Sequence, residues 1–226
     1  MSRPRLLVLA GVNGAGKSSI GGGALTRAGS TWYNPDDFAR ALVGAREYTQ
    51  AQANIEAWQE GMRRLDDALA CGHDHAFETT LGGNTVPARL IGAANTHDVL
   101  MWFCGLDSPE HHLARIGLRV SQGGHDIPEA KVRERYESSI RNLLRLLPHI
   151  ARLRVYDNSA DAAPGHAIPN PRLLLQMEAG RITWPTDAAT LRQTPHWAKP
   201  ILEAALRLHA RLQAVEPVPV GQRPTG

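Results

Sequence analysis

The sequence is short of lysine, of cysteine and of long apolar runs. Three of its 25 basic residues are lysines, Lys17, Lys131 and Lys199. Cys71 and Cys104 are too few for a disulfide framework, so we expect ordinary thiols. No apolar run approaches the ~20 residues of a membrane-spanning helix, and the N-terminus leads into an apolar segment without the hydrophobic stretch of a signal peptide. We therefore expect a cytoplasmic protein with no membrane partner.

Charge and size narrow the class further. The net charge is +3, and the basic residues are almost all arginines spread along the chain. Aromatic residues make up 5% of the chain and do not alternate with basic ones, which disfavours a nucleic-acid partner. A chain of 226 residues with 42% hydrophobic content can bury a full core, and it suits one α/β domain.

A glycine-rich loop, G-V-N-G-A-G-K-S at positions 11–18, follows the apolar run Leu6–Ala10. It fits the pattern G-x-x-x-x-G-K-[ST], and the run before it predicts a buried strand. The loop amides can surround a triphosphate, Lys17 can reach the β- and γ-phosphates, and the Ser18 hydroxyl can bind Mg²⁺. A chance match in a glycine-rich turn is the alternative, and the motif alone does not separate a kinase from an ATPase or a switch protein. The candidate nucleotide-binding residues are Gly11, Asn13, Gly14, Ala15, Gly16, Lys17, Ser18, Ser19 and, from a later loop, Asn158. A first helix is predicted from Ser18 to Ala28.

A second polar turn follows a short predicted strand at Thr31–Tyr33. Pro35 would end that strand, and Asp36 and Asp37 would open the next helix. Capping of the helix is the structural alternative. The turn lies at the ligand-bearing edge of a phosphate-loop fold, where a carboxylate can accept a proton from a substrate hydroxyl.

The next segment predicts a long amphipathic helix from Thr49 to Ala70, ended by Gly72. Its apolar residues recur at alternating spacings of three and four. We expect this stripe to face the core. Its members are Ile55, Trp58, Met62, Leu65 and Leu69.

Another strand is predicted to begin at His75 and to end in polar residues. Glu78 and Thr80 stand at its carboxyl end before two glycines, which favours a binding edge, although a helix-capping turn before Pro87 is the alternative. A helix from Val86 to Asn95 and a buried strand at Val99–Cys104 should follow.

The centre of the chain predicts a lid of two helices. Asp107, Ser108 and Pro109 form a helix start, and a glycine-containing loop at 121–128 separates that helix from a second one. Arginines suit a lid because the guanidinium group meets phosphate oxygens in a bidentate way and keeps its charge. The candidate lid arginines are Arg115, Arg119, Arg133 and Arg135.

Together these elements predict a P-loop NTPase fold of the α/β class, with a mostly parallel five-stranded sheet, helices on both faces, and a C-terminal hairpin and helix. The last core strand is Leu153–Tyr156, the hairpin joins Leu173–Glu178 to Arg181–Trp184, and the final helix runs from Trp197 to Ala214. We predict a kinase core over 1–160 with a lid at about 109–147, an extension over 161–215 packed on the core, and a disordered tail over 216–226.

The combination of motifs resembles the zeta-toxin family of P-loop kinases, especially its zeta-like members. The matching stretches are Gly11–Ser19, Asn34–Phe38, Phe77–Leu81, Arg119–Pro128 with the helix after it, and Tyr156–Ser159. They are spread over about two-thirds of the chain, and the combination is much more specific than the phosphate loop alone.

The resemblance implies roles for individual residues. The family's general base matches Asp36, with Asp37 as the fallback, and its sugar-nucleotide-binding Glu-x-Thr pair matches Glu78 and Thr80. One family lid arginine matches Arg115. The other has no clean counterpart in its expected region, 123–126, and Arg119, Arg133 and Arg135 are the candidates to replace it.

The resemblance also implies a reaction and its participants. In this family the γ-phosphoryl group of ATP or GTP moves, with Mg²⁺, to a sugar nucleotide such as UDP-N-acetylglucosamine, and an antitoxin protein restrains the toxic members. Two alternatives remain open at the level of sequence. One is a kinase for another small-molecule or polynucleotide hydroxyl, and the other is a nucleotide-binding regulatory ATPase with no acceptor.

Overall fold

A computed structural model describes residues 2–22, 32–46, 48–161 and 169–215. Its strands are β1 (Arg5–Ala10), β2 (His75–Thr79), β3 (Asp98–Gly105), β4 (Arg152–Asp157), β5 (Arg172–Glu178) and β6 (Arg181–Trp184). Its α-helices are α1 (Pro35–Gly44), α2 (Gln50–Cys71), α3 (Thr85–Ala93), α4 (Pro109–Ser121), α5 (Glu129–Leu146), α6 (Ala188–Arg192) and α7 (Lys199–Val215). A π-helical turn covers Ser18–Gly22, and 3₁₀ turns cover Leu147–His149 and His196–Ala198.

The strands form one mixed sheet in the order β2-β1-β3-β4-β5-β6. The first four strands are parallel, and the hairpin β5–β6 extends the sheet in antiparallel fashion beyond β4. The prediction of a mostly parallel α/β sheet is therefore confirmed, but the predicted count of five strands is wrong: the described residues form a six-stranded sheet, because the C-terminal hairpin pairs with β4. Because the parallel strands end at one edge, the polar residues that follow β1 and β2 come together there.

The predicted strand at Thr31–Tyr33 is reduced to a single parallel bridge from Tyr33 to Phe77 in the part of the chain that the structure describes. Thr31, most of the predicted first helix after Gly22, and the predicted tail after Val215 lie outside the described residues.

The main core lies where alternate side chains of the sheet meet the helices. Leu6 and Val8 of β1 and Met101 of β3 are fully buried and pack in one cluster with Leu143 of α5 and Ile201 of α7. The alternation places these strand residues on one face, so that face of the sheet is covered by helices. On the opposite face, Leu9 contacts the π-helical turn at Gly21.

The helix boundaries follow capping chemistry. The Asn34 side chain accepts a hydrogen bond from the Asp36 amide at the start of α1, and Ser108 accepts one from the His111 amide at the start of α4. Thr49 forms a capping box at the start of α2, and Gly72 ends that helix in the left-handed conformation. The predicted start signals and the predicted C-cap glycine are confirmed.

The predicted apolar stripe of α2 is wrong for two of its members. Ile55 and Trp58 are 57% and 52% exposed, whereas Leu65 is fully buried and Met62 and Leu69 are partly buried. The face that packs against the protein is instead built from small residues at a spacing close to four. These small residues are Ala53, Ala57, Gly61 and Ala68, and Leu65 of the predicted stripe lies on the same face. A Cβ on Gly61 would stand 2.9 Å from the Tyr33 ring, so the small residues allow α2 to approach closely.

Candidate functional site

The glycine-rich loop turns tightly between β1 and the π-helical turn. Gly14 and Gly16 have φ angles of +81° and +82°, a region in which side-chain-bearing residues are strained. The carbonyl of Ala15 accepts hydrogen bonds from the Asn158 side chain at 2.9 Å and from the Cys104 thiol at 2.8 Å. The ends of β3 and β4 therefore hold the loop in place. A Cβ on Gly16 would collide with the Asn158 side chain.

Lys17 is 7% exposed and pairs with a carboxylate from the neighbouring strand. Its Nζ lies 3.2 Å from Glu78 Oε1 and 3.3 Å from the Val12 carbonyl oxygen. The Ser18 hydroxyl donates to the other oxygen of Glu78 at 3.2 Å. The parallel pairing of β1 with β2 brings these residues together, although 60 positions separate Ser18 from Glu78.

A cavity of about 340 Å³ opens beside the loop. Its wall includes the phosphate-loop residues Asn13 and Lys17 together with Asp36, Glu78 and Thr80, five of the residues that the sequence singled out. The remaining lining residues come from the turn before α1, from α2, from the end of β2 and from the lid. They are Tyr33, Asn34, Pro35, Asn54, Ala57, Trp58, Gly61, Met62, Phe77, Thr79, Val86, His125, Asp126, Ile127, Pro128, Lys131 and Arg135.

The two candidate base residues lie in different surroundings. Asp36 lines the cavity, and its Oδ2 is 4.0 Å from Arg119 Nη1. Asp37 is exposed and forms a 2.7 Å ion pair with Arg40, one turn along the same helix. Asp36 therefore lies at the cavity, whereas the Asp37 carboxylate forms its ion pair with Arg40 on the surface of the helix.

Two of the lid arginines lie at the cavity or beside one of its lining residues, and two do not. Arg135 lines the cavity and donates to Asn13 Oδ1 at 2.7 Å, and Arg119 donates to the His125 carbonyl at 3.2 Å beside Asp36. Arg133, two positions before Arg135, faces the other side of α5 and pairs with Glu110 and Glu129, both at 2.7 Å.

Arg115 stands next to the phosphate loop, but its guanidinium group is turned away from it. A Cβ on Gly14 would lie 3.6 Å from Arg115 Cβ, so the two backbones are neighbours. The guanidinium group binds Asp161 at 2.7 Å and the Ala160 carbonyl at 3.1 Å, after the end of β4. The Arg115 ion pair holds the pKa of Asp161 below its usual range.

His112 joins the first lid helix to the loop. Its side chain is buried, and its Nδ1 donates to the Asn13 carbonyl at 2.8 Å, which makes Nδ1 the protonated nitrogen of a neutral ring. Burial lowers the pKa of His112 to about 4. The ring also packs edge-on against Tyr136 of α5. Burial likewise raises the pKa of the Cys104 thiol to about 12, so this cysteine is an ordinary buried thiol.

Trp58, Lys131 and His112 are site residues that the sequence did not single out. Trp58 and Lys131 line the cavity, and His112 holds the loop. One signal for Trp58 was present in the sequence. The small residues at 53, 57, 61 and 68 define the packed face of α2, which leaves the tryptophan beside that face.

The Ser18 hydroxyl is placed to serve as a Mg²⁺ ligand, beside the Glu78 carboxylate. A hydroxyl oxygen and a carboxylate oxygen stand 3.2 Å apart at the end of the loop, and Mg²⁺ in nucleotide sites takes such oxygen ligands together with phosphate oxygens and water. Within the described ranges, no three His, Cys, Asp or Glu side chains are grouped as a metal site. Ser19 lies in the π-helical turn directly after Ser18.

Comparison with known proteins places this geometry among related folds. No protein-family model matches the chain. An uncharacterised protein of Haemophilus influenzae is 29% identical over 133 residues, which cover 56% of this chain and 88% of that protein. A chain of the AvrRxo1-ORF1:AvrRxo1-ORF2 complex with sulphate ions gives a TM-score of 0.63 at 16% identity, over 94% of this chain and 76% of that one.

A second solved structure supports the same fold. It comes from the PezAT chromosomal toxin-antitoxin system of Streptococcus pneumoniae and gives a TM-score of 0.58 at 14% identity, over 94% of this chain and 88% of that one. The chain therefore has the fold of these two solved structures. The AvrRxo1 complex has also been solved with ATP, in a structure that gives a TM-score of 0.62 at 17% identity. In the described part of the chain, no helix has the length and apolar character needed to cross a membrane.

Proposed function

We propose that this protein is a Mg²⁺-dependent phosphotransferase that moves the γ-phosphoryl group of ATP or GTP to a hydroxyl group of a sugar nucleotide such as UDP-N-acetylglucosamine. One observation carries the proposal. Lys17, which belongs to the phosphate loop, and Asp36, whose carboxylate lies 4.0 Å from Arg119, line the same cavity of about 340 Å³. A donor and an acceptor can therefore meet there.

On the donor side, the loop amides and Lys17 would hold the β- and γ-phosphates. The glycines at 14 and 16 adopt the left-handed conformation that turns successive amides toward a common centre. Bound at the Ser18 hydroxyl, Mg²⁺ would supply charge neutralisation on the phosphate oxygens. The neighbour solved with ATP supports ATP as the donor.

On the acceptor side, Asp36 would accept the proton of the attacking hydroxyl. The acceptor oxygen forms a bond to the γ-phosphorus while the bond from that phosphorus to the bridging oxygen of the nucleoside diphosphate breaks. Glu78 and Thr80 would bind other acceptor hydroxyls. Arg135 lines the cavity from the lid and Arg119 lies 4.0 Å from Asp36, and their charges would stabilise the transferred group.

The test is phosphoryl transfer to a defined panel. Purified protein is incubated with ATP, Mg²⁺ and a set of UDP-sugars, and each sugar is examined by mass spectrometry for one added phosphoryl group. We expect the gain on UDP-N-acetylglucosamine, and we expect Lys17→Ala and Asp36→Ala to abolish it. An added phosphoryl group on another hydroxyl compound would support the kinase activity and show that the acceptor is a different compound. ADP release without any acceptor would instead support the regulatory ATPase.

We propose further that a toxic activity is restrained by an antitoxin protein. The structural neighbours include a toxin-antitoxin system, and the AvrRxo1 chain was solved with the ORF2 chain. Induced expression in a bacterial host should arrest growth with the wild-type chain and leave growth unchanged with Lys17→Ala. Equal growth of the two strains at matched protein levels would contradict the toxin role.

A further inference from the structure

The most informative contact in the cavity joins the donor and acceptor sides. Glu78 accepts from Lys17 at 3.2 Å through one carboxylate oxygen and from Ser18 at 3.2 Å through the other. The side chains of Lys17 and Glu78 are 6% and 10% exposed. The Glu78 carboxylate thus binds both Lys17 and Ser18, the two loop side chains that a nucleotide would use.

This arrangement makes Glu78 a competitor of the nucleotide phosphates. Lys17 carries one charge, so a phosphate oxygen that approaches it competes with the Glu78 oxygen 3.2 Å away, and the two negative groups repel each other. Once displaced, Glu78 would be a buried carboxylate beside a phosphate group. A buried charge without its partner is strongly unfavourable, so the carboxylate needs new hydrogen-bond donors.

The acceptor can supply those donors. Glu78 lines the cavity together with Thr80 and Asp36, the residues at which the proposed function places the acceptor hydroxyl groups. A carboxylate accepts hydrogen bonds from sugar hydroxyls without any change of its own charge. The acceptor would therefore stabilise the Glu78 carboxylate in the position that it takes when the nucleotide displaces it from Lys17.

We propose that Glu78 is a positioning residue that couples the two binding sites. Nucleotide binding releases its carboxylate from Lys17, and the released carboxylate then binds the acceptor. This inference rests on the proposed function for the identity of the acceptor. Because coupling between binding sites is reciprocal, each ligand tightens the binding of the other, and the free protein binds acceptor weakly.

The first test measures the competition alone. The non-hydrolysable analogue AMP-PNP is titrated by calorimetry in EDTA, so that neither Mg²⁺ nor acceptor contributes. We expect Glu78→Gln to bind AMP-PNP about tenfold more tightly than the wild type, because the neutral amide no longer competes for Lys17. Asp126→Asn is the matched control, since it removes one negative charge from the same cavity wall without touching Lys17. Its affinity should stay within about twofold of the wild type.

Equal gains in the two variants would show a general charge effect and would overturn the proposal, as would unchanged or weaker binding in Glu78→Gln. Circular dichroism establishes that each variant is folded. If Glu78→Gln does not fold, Glu78→Asp serves in its place. The aspartate side chain is one methylene shorter, so its carboxylate should lie farther from Lys17 and give a smaller gain in AMP-PNP affinity. No gain would contradict the proposed competition between residue 78 and the nucleotide.

The second test measures the coupling. AMP-PNP is titrated in Mg²⁺ with and without saturating UDP-N-acetylglucosamine. The wild type should bind AMP-PNP at least fivefold more tightly with the sugar nucleotide, and Glu78→Gln should show no such difference. An equal difference in both proteins would overturn the coupling. If UDP-N-acetylglucosamine does not bind the wild type at all, the proposed acceptor is wrong, and the first titration still decides the competition between Glu78 and the nucleotide.

Discussion

Arg135, in the second lid helix, donates a 2.7 Å hydrogen bond to the side-chain oxygen of Asn13, in the phosphate loop, across 122 positions of sequence. Asn13 also receives, through its carbonyl, the hydrogen bond from His112 of the first lid helix. Both lid helices are therefore attached to the same residue of the loop. A change of loop conformation on nucleotide binding would reach both helices directly.

This attachment predicts that Arg135 matters for transfer and that its neighbour Arg133 does not. Arg135→Ala should lower kcat by about 100-fold or more, because a cationic donor to the transferred group is lost. Arg133→Ala, on the same helix but paired with Glu110 and Glu129 at the surface, should leave kcat within about twofold. Steady-state ADP formation in the presence of acceptor measures both. A comparable loss in the two variants would contradict the assignment.

The conformation of Gly16 predicts a loss of nucleotide binding on the smallest possible substitution. Gly16→Ala forces a side chain into a φ of +82° and against the Asn158 amide. We expect AMP-PNP affinity to fall by more than tenfold. Gly83→Ala is the control, because no atom of the described chain lies within 4 Å of its added Cβ. Calorimetric titration compares the two, and wild-type affinity in Gly16→Ala would argue against this loop as the phosphate site.

The exposure of Trp58 predicts that it serves the cavity and contributes little to the core. Trp58→Ala should raise the KM for the acceptor by about tenfold through lost contact area, and should lower the free energy of unfolding by less than about 1 kcal/mol. Leu65→Ala, on the same helix and fully buried, should cost about 2–5 kcal/mol and leave KM unchanged. Denaturant titration and acceptor kinetics separate the two effects. A large loss of stability in Trp58→Ala would show that Trp58 contributes to the core and would contradict this prediction.

The burial of His112 predicts a loss of stability on acidification. Its pKa is lowered to about 4 in the folded chain, with the nearby cations Lys17 and Arg115 acting in the same direction as burial, and lies near 6.5 when unfolded. The unfolded chain therefore binds the proton first. The neutral His112 ring makes its full contribution to the free energy of unfolding above pH 6.5, and this contribution is lost as the pH falls from 6.5 to about 4. Over this window the wild type should lose on the order of 3 kcal/mol more than His112→Gln.

Urea denaturation at several pH values measures that difference. The slope of stability against pH should be shallower in His112→Gln between pH 6.5 and 4 and the same in both proteins above pH 7. Parallel curves over the whole range would show that His112 does not titrate in this way.

Local signals in the sequence predicted the elements that surround the site. The phosphate loop after β1, the helix start at Asn34 and Pro35, and the C-cap at Gly72 were all readable because capping and turn chemistry act within a few residues. The hairpin around Ala179 and Gly180 was readable for the same reason.

Contacts between distant residues were not readable in this way. Periodicity defined an apolar stripe on α2 but not which side of it faces the core, so Trp58 was assigned to the wrong surroundings. Arg115 matched the family pattern and three other arginines were candidates for the second lid position, but which of the four lie at the cavity depends on the orientation of two helices. The pairing of Lys17 with Glu78 arises from the register of β1 and β2, which no local pattern specifies.

The central claim is that Asp36 acts as the base for phosphoryl transfer from the nucleotide on Lys17. The most direct measurement compares Asp36→Asn with Asp37→Asn in the mass-spectrometric transfer assay, at equal protein concentration and with AMP-PNP binding checked in both. The account predicts that Asp36→Asn binds the nucleotide but transfers no phosphoryl group, while Asp37→Asn, whose carboxylate only pairs with Arg40 at the surface, transfers at close to the wild-type rate. Full transfer by Asp36→Asn, or loss of transfer in Asp37→Asn alone, would contradict it.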